Sequence, residues 1–427
     1  MGVLTIFLIV FFVLLLLGMP IAFTLGIAST VFLMAETDLP TLFVIQKMFA
    51  GVDSFPLLAV PFFILAGNLM NGGGVTRRLL DFCNIIVGRF RGGLAAVSIV
   101  GSMIFAGISG SAVADASGLG SILIPTMNDQ GYEPEYSAAI NATSSTIAML
   151  IPPSIPMVLL ATIASASVRD LFFSSAVAGI LSGLFMLAVN GYLSVKRNYP
   201  SNGKVALADV PRLCFKCLPS VIMPALILCA IVFGWMTATE ASCLAVLYAL
   251  FTGIFIYKQL TPKIIFQSFI EAALQTAIVM LIVAAAQLLS SIMSHLLLPQ
   301  IIADWALENL QAKWAILLVI SITALVCGCF IDVSPALILL GAIFTPVIQA
   351  VDISVLQFAA VLCVSLSIGL YTPPVGMTLI ISAKIADSTL TRCFRYCVPF
   401  LIPELILIFL LIFIPALSEA LPTIMFG

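Results

Sequence analysis

Residues 92–127 read GGLAAVSIVGSMIFAGISGSAVADASGLGSILIPTM, two apolar arms at 92–107 and 112–127 joined only by Ile108-Ser-Gly-Ser111. Each arm is about as long as a short membrane span, since a helix needs roughly 20 apolar residues to cross ~30 Å of hydrocarbon. Arg89 and Arg91 precede the first arm and the polar stretch 128–135 follows the second. Lys and Arg mark the cytoplasmic side of a membrane protein, so both ends fall on that side and the segment is expected to enter and return as a helical hairpin. Residues 313–328 and 336–350 repeat the pattern around Cys329-Phe-Ile-Asp-Val-Ser-Pro335. Their flanks fall on the outer side.

The rest of the chain has the composition such hairpins require. Of 427 residues 62% are hydrophobic and 8% charged, against about a quarter charged in soluble domains, so the solvent of this fold is lipid. Runs at 3–34, 218–236, 241–257 and 398–417 reach or approach spanning length. The first lacks a basic start and a small-residue cleavage site and reads as a retained span rather than a signal peptide. No basic stripe with interleaved aromatics points to nucleic acid. The ten cysteines lie mostly in apolar runs, where a thiol behaves as a small hydrophobe. Cys214 and Cys217 form the one CxxC and read as structural, because one pair and one histidine do not make a zinc site. That histidine, His295, reads as an interfacial residue near the outer surface.

Charges set the topology. Arg77, Arg78, Arg89 and Arg91, then Lys196, Arg197, Lys204, Arg212 and Lys216, then Lys258, Lys263, Arg392 and Arg395 mark cytoplasmic turns. Glu36 with Asp38, Glu240, Asp304 with Glu308, and Asp352 mark outer ones. Threading between them gives about nine spans, an inside N-terminus and an outside C-terminus. Gly107 and Gly328, Pro125 and Pro346, and Pro152-Pro153 with Pro373-Pro374 each stand 221 positions apart, at equivalent elements of opposite orientation. The expected fold is therefore an all-α polytopic membrane protein of inverted-topology repeats, with two re-entrant helical hairpins and two broken helices, an architecture of secondary transporters. Its parts are scaffold helices at 1–70, an arm helix at 71–91, transport half one at 92–168, scaffold helices at 169–298 with a cytoplasmic loop at 196–216, an arm helix at 299–312, transport half two at 313–390 and a C-terminal helix at 391–427.

Non-helical backbone in a bilayer costs several kcal/mol per unpaired peptide group and is tolerated where it lines a cavity. The breaks are therefore the candidate site. Ser109, Gly110 and Ser111 at the first tip face Ile151-Pro-Pro-Ser-Ile-Pro156 in the next span. Each proline frees a carbonyl four residues earlier, which exposes acceptors at 147–149. Such carbonyls and hydroxyls suit a hard cation such as sodium, and the half-helix N-termini suit an anion. The cation ligands expected at this break are Ser109, Gly110, Ser111, Ala148, Ile151 and Pro152. The second break, Gly369-Leu-Tyr-Thr-Pro-Pro374, offers the Gly369 carbonyl and the Thr372 hydroxyl, and two such breaks suggest two or more coupled sodium ions. Asp332, Ser334 and Pro335 at the second tip, with Ser111 at the first, are the expected solute contacts. A carboxylate at Asp332 would repel a simple dicarboxylate but accept hydrogen bonds from hydroxyl, amide or ammonium groups. Asp332 also fits a helix cap, and both roles can coexist. Asp115 reads as stabilising the N-terminus of its helix. Glu271 and Glu404 stand isolated, so no proton relay is evident, and no nucleophile–base pair suggests an enzyme.

These residues resemble the large membrane subunit of the tripartite ATP-independent periplasmic (TRAP) transporters over nearly the whole chain. The most specific matches are Gly107-Ile-Ser-Gly-Ser-Ala-Val-Ala-Asp115 with Gly120-Ser-Ile-Leu-Ile-Pro125, the Pro-Pro-Ser-Ile-Pro break at 152–156, and Tyr371-Thr-Pro-Pro-Val-Gly376. The resemblance implies a sodium-driven importer of the bacterial inner membrane with elevator motion. It also implies two partners, a small four-helix membrane subunit on a separate chain and a periplasmic substrate-binding protein. The family's sodium sites map onto Ser109 and Ser111 with the first break, and onto Gly369, Thr372 and Met377 around the second. The acidic second tip resembles the sialic acid branch, whose substrate contacts map onto Asp332 and Ser334. A C4-dicarboxylate importer of the same family, a standalone ion-coupled anion transporter and an ion channel are the competing expectations.

Overall fold

A computed structural model describes residues 2–36, 39–201, 210–297, 300–302, 304 and 312–426. Among these the regular structure is helical. Eight helices are long and apolar enough to cross a membrane, judged by length and composition: Phe55–Gly72, Val168–Lys196, Phe215–Val232, Ala238–Ile256, Pro262–His295, Lys313–Phe330, Val333–Ala350 and Leu390–Phe413. Two of the eight, Lys313–Phe330 and Val333–Ala350, are the arms of the second expected hairpin. The start of the first and the turn after the second lie together, with Lys313 Nζ 3.1 Å from Asp352 Oδ2. The ends of the first pair also lie together: Gly92 N donates to Pro200 O at 3.0 Å and Tyr132 OH donates to the same oxygen at 3.3 Å. There Arg197 reaches both oxygens of Glu133 at 3.3 Å and Tyr199 OH donates to Glu133, which joins turns that the charges place together.

Three expectations change. The run 3–34 is two helices, Gly2–Leu16 and Ile21–Glu36, packed on each other, because Gly18 adopts φ +80° and Pro20 has no N–H to continue the first helix. The C-terminal helix is likewise two, Leu390–Phe413 and Ala416–Phe426, separated at Pro415. The return arm of the first pair divides into Ala112–Gly118 and Gly120–Asp129. The first arm helix is Val75–Val87. The second, expected at 299–312, lies largely outside the described residues, as do 202–209 with Lys204 of the cytoplasmic loop and the side chains of Glu36, Asp38, Arg212, Cys214 and Glu308.

Two helices of the breaks form the centre, one largely apolar and one carrying small residues and hydroxyls that bond back to the helix's own carbonyls. Pro134–Ser144 and Val355–Gly369, the first segments of the two broken spans, are buried over most of their length. Each break is followed by a short helix that crosses to the other half. Ile155–Ala164 packs on Val333–Ala350, and Met377–Ile385 packs on Ala112–Gly118 and Gly120–Asp129. The halves are thus interlocked, and the Asn141 amide fastens them by donating to Ala116 O at 2.9 Å and Ser382 Oγ at 2.8 Å. Around this centre the long helix Pro262–His295 packs on Ile21–Glu36, Leu42–Val52 and Ala59–Gly72, and also touches Val333–Ala350.

The arm Lys313–Phe330 lies along Val355–Gly369 so closely that a Cβ on Gly369 would stand 2.3 Å from the Gly328 carbonyl carbon and 2.5 Å from its Cα. Backbone, unlike a flexible side chain, cannot swing aside. Gly369→Ala is therefore expected to destabilise the purified protein by about 1–3 kcal/mol, read as a lowered Tm in detergent. An unchanged Tm would show that the two backbones are free to part.

Candidate functional site

At the first tip the chain leaves helix Gly93–Ser109 through Gly110, whose φ of +58° is left-handed. It turns at the extended Ser111, whose Oγ caps the next helix by accepting from Ala114 N at 3.4 Å. Pro153 O and Ile155 N would lie 2.6 and 3.1 Å from a Cβ on Gly110, so tip and break touch only because a glycine stands there. Asp115 occupies the first turn of its helix, as expected, but its carboxylate also reaches back across the tip. Ser109 Oγ donates to Asp115 Oδ1, while the fully buried Oδ2 has no partner among the described residues.

Hydroxyls re-satisfy part of the backbone that prolines free. Of the acceptors expected at 147–149, Ile147 O receives Leu150 N at 2.9 Å and Ile151 N at 3.2 Å. Met149 O receives Ser154 Oγ at 2.5 Å and Cys363 Sγ at 3.5 Å. The Ala148 carbonyl is left without a donor among the described hydrogen bonds. The second break repeats the device: Leu370, 221 positions after Met149, receives Thr378 Oγ1 at 2.9 Å and Thr378 N at 3.1 Å. The Thr372 hydroxyl donates to Ile368 O at 2.7 Å, and Gly369 O receives Thr372 N at 3.1 Å. Val375 N donates to Cys329 O at 3.1 Å, tying this break to the second tip.

The two tips meet at a cavity of about 450 Å³. Of the residues expected at the site, Ser109, Gly110, Ser111, Asp332, Ser334 and Met377 line it. Pro335 is buried behind Ser334, and Ala148, Ile151, Pro152, Gly369 and Thr372 sit within the breaks, outside the lining. Asp332 is the N-cap residue of Val333–Ala350, with φ −62° and ψ 154°, yet its carboxylate makes no capping hydrogen bond. It also stands on the cavity wall, half-buried at the N-terminus of that helix. The first residues of Val333–Ala350, Ile155–Ala164 and Met377–Ile385 all border the cavity, which aims three helix N-termini at one space.

The opposite wall was not anticipated. It consists of Asn68 and Asn71 from Ala59–Gly72, and Glu271 and Gln275 from Pro262–His295. Glu271 is therefore not isolated: it faces the cavity and accepts from Gln267 Nε2 at 2.9 Å. The sequence carried a signal for this wall, polar pairs at i,i+3 and i,i+4 that share one helix face. Asn68 Nδ2 is buried without a partner among the described residues. The described lining holds two carboxylates, Asp332 and Glu271, and no Lys, Arg or His. A second cavity, about 520 Å³, shares Asn71 and Ser117 with the first and extends to Thr76, Arg77 and Gln259, toward the face rich in Lys and Arg.

The family model described as "Tripartite ATP-independent periplasmic transporter, DctM component" matches residues 8–417. The chain is 34% identical over 410 residues to the sialic acid TRAP transporter large permease protein SiaM of Vibrio cholerae, covering 96% of each chain. It is also 34% identical over 380 residues to the C4-dicarboxylate TRAP transporter large permease protein DctM of Pseudomonas aeruginosa, covering 88% of each. In fold it is similar to the crystal structure of the Alcanivorax borkumensis YdaH transporter, with TM-score 0.65 and 14% identity over 87% of this chain and 86% of that one.

The Ser109–Asp115 contact carries its own expectation. Removing the hydroxyl leaves a buried carboxylate without its donor, so Ser109→Ala should cost about 1–3 kcal/mol in thermal unfolding, and Ser109→Thr should restore most of it. Equal stability of the alanine variant would mean that Asp115 finds another donor.

Proposed function

Since the chain belongs to the tripartite ATP-independent periplasmic transporter family as its DctM component, we propose that it is the large subunit of a sodium-coupled importer of a sugar acid such as sialic acid. The protein is a transporter and not an enzyme, a multi-pass protein of the bacterial inner membrane. Large permeases of this family work with a small membrane subunit and a periplasmic binding protein, and for this chain we take the small subunit to be a four-helix partner on a separate chain.

The observation that carries the substrate reading is the wall chemistry: Asp332 and Glu271 with amides and hydroxyls, and no cationic side chain. The two relatives named for sialic acid and for C4-dicarboxylates are equally identical to this chain, so identity favours neither. A C4-dicarboxylate brings two negative charges to a wall that already holds two, and like charges at close range repel. A sugar acid brings one carboxylate, which the positive ends of the three helices suit, several O–H and N–H donors for Asp332 and Glu271, and hydroxyl oxygens that can accept from Asn68 Nδ2.

Sodium is cargo in this reading. Ser109, Gly110 and Ser111, with the carbonyls of residues 148–152, offer one all-oxygen site. Gly369, Thr372 and Met377 at the second break offer another. The proximity of Pro153 O to Gly110 supports the first, because it holds tip and break at ligand range. The helix pairs are read as re-entrant hairpins of inverted topology, and the elevator body as these pairs with both broken spans, sliding against the helices that carry Asn68 and Glu271.

Reconstituted with its partner subunits, the protein is expected to accumulate sialic acid only under an inward sodium gradient; equal uptake in potassium sinks the coupling. Asp332→Ala should lower uptake at least about tenfold at unchanged expression, the scale of a lost hydrogen bond to a charged group at about 1.5–3 kcal/mol. Stronger competition by succinate than by sialic acid would return the protein to the dicarboxylate reading.

A further inference from the structure

On the face that Lys and Arg mark as cytoplasmic, a cavity of about 900 Å³ lies between the arm helix Val75–Val87, the start of the span Val210–Val232, and the turn that follows Ala238–Phe251. Arg77, Arg78 and Lys216 line it, with Asp81 as the one carboxylate among its described lining residues. No ion pair joins Asp81 to the three cations among the described residues, and the balance is two positive charges. Arg78 is held in place: its guanidinium carbon stands 3.8 Å from the centre of the Tyr257 ring and its Nη1 donates to Gly74 O at 2.8 Å. Tyr257 is fixed in turn by Ser220, with 2.8 Å between their hydroxyls. Arg77 and Lys216 are exposed.

The rest of the lining is apolar and open. Phe215 is 78% exposed, Leu218 47%, Ile256 45% and Ile222 40%, and all four border the same cavity. A route for a hydrated solute has no use for such side chains beside its cations. A molecule with an anionic phosphate and hydrocarbon tails uses both.

We propose that this cavity binds an anionic glycerophospholipid of the cytoplasmic leaflet. Its phosphate is held by Arg77, Arg78 and Lys216, and its acyl chains lie along Phe215, Leu218, Ile222 and Ile256. Guanidinium suits phosphate geometrically, basic pockets between spans on the cytoplasmic side suit such headgroups, and the exposed apolar side chains continue the pocket into the hydrocarbon. The lipid would bridge the arm helix, which packs on helix Gly93–Ser109 of the first tip, to the span Val210–Val232. It would act as a removable strut under the hairpin.

The test is native mass spectrometry of the purified full-length protein, titrated in detergent with phosphatidylglycerol or phosphatidylcholine. Phosphatidylglycerol is expected to be retained preferentially. The double variant Arg77→Gln with Lys216→Gln should bind it at least about tenfold more weakly, at roughly fivefold per cation removed, while Arg77→Lys keeps it and both variants keep the wild-type Tm. Equal retention of the two lipids, or of phosphatidylglycerol by wild type and double variant, overturns the proposal. Displacement by inorganic phosphate at matched concentration would assign the cations to a free anion, and exclusion of the lipid by the co-purified small subunit would assign the surface to that protein; either result overturns it as well.

Discussion

In hydrocarbon a peptide N–H or carbonyl without a partner costs several kcal/mol, and this chain breaks its helices four times around one cavity. The fold can be understood as the set of devices that bring that cost down. Ser154 Oγ covers the carbonyl of Met149 and Thr378 Oγ1 that of Leu370; Thr372 covers Ile368, and Val375 N covers Cys329. These donors are short side chains or neighbouring backbone, which is why Ser, Thr and Gly crowd the breaks. Among the groups the devices leave over are the Ala148 carbonyl and one oxygen of Asp115 near the first tip, and the buried Tyr371 hydroxyl in the second break.

The same economy recurs between elements. Ser144 lies 3.2 Å from both Ser98 and Ser102, and Ser365, 221 positions later, lies 2.7 Å from Ser321. In each half a buried hydroxyl pair fastens the leading arm of the helix pair to the broken span. Hydroxyls can donate to one another where a charged link would carry a desolvation cost, so they hold apolar helices together without adding charge to the interior.

The positions of the breaks were legible because Gly, Ser and Pro act locally: Gly110 at φ +58° and the prolines at 152–153 and 373–374 mark where helices stop wherever they are placed. The ion pair of Lys313 with Asp352 and the contact of Arg197 with Glu133 bring together turns that the charge pattern assigned to one side. The exchange of Ile155–Ala164 and Met377–Ile385 between halves was not legible, since apolar helices of similar composition can pack on many partners. Glu271 was missed for a related reason: one acid in a long helix reveals its use only when the helix facing it is known. At residues 2–36 and 390–426 the punctuation was present, in Gly18, Pro20 and Pro415, but the length of the apolar runs outweighed it.

Asn141 donates from one nitrogen to Ala116 O in its own half and to Ser382 Oγ in the other. An amide shared in this way ties the two halves at a buried point. The return arm of the first helix pair and the short helix after the second break are thereby joined within the length of one side chain.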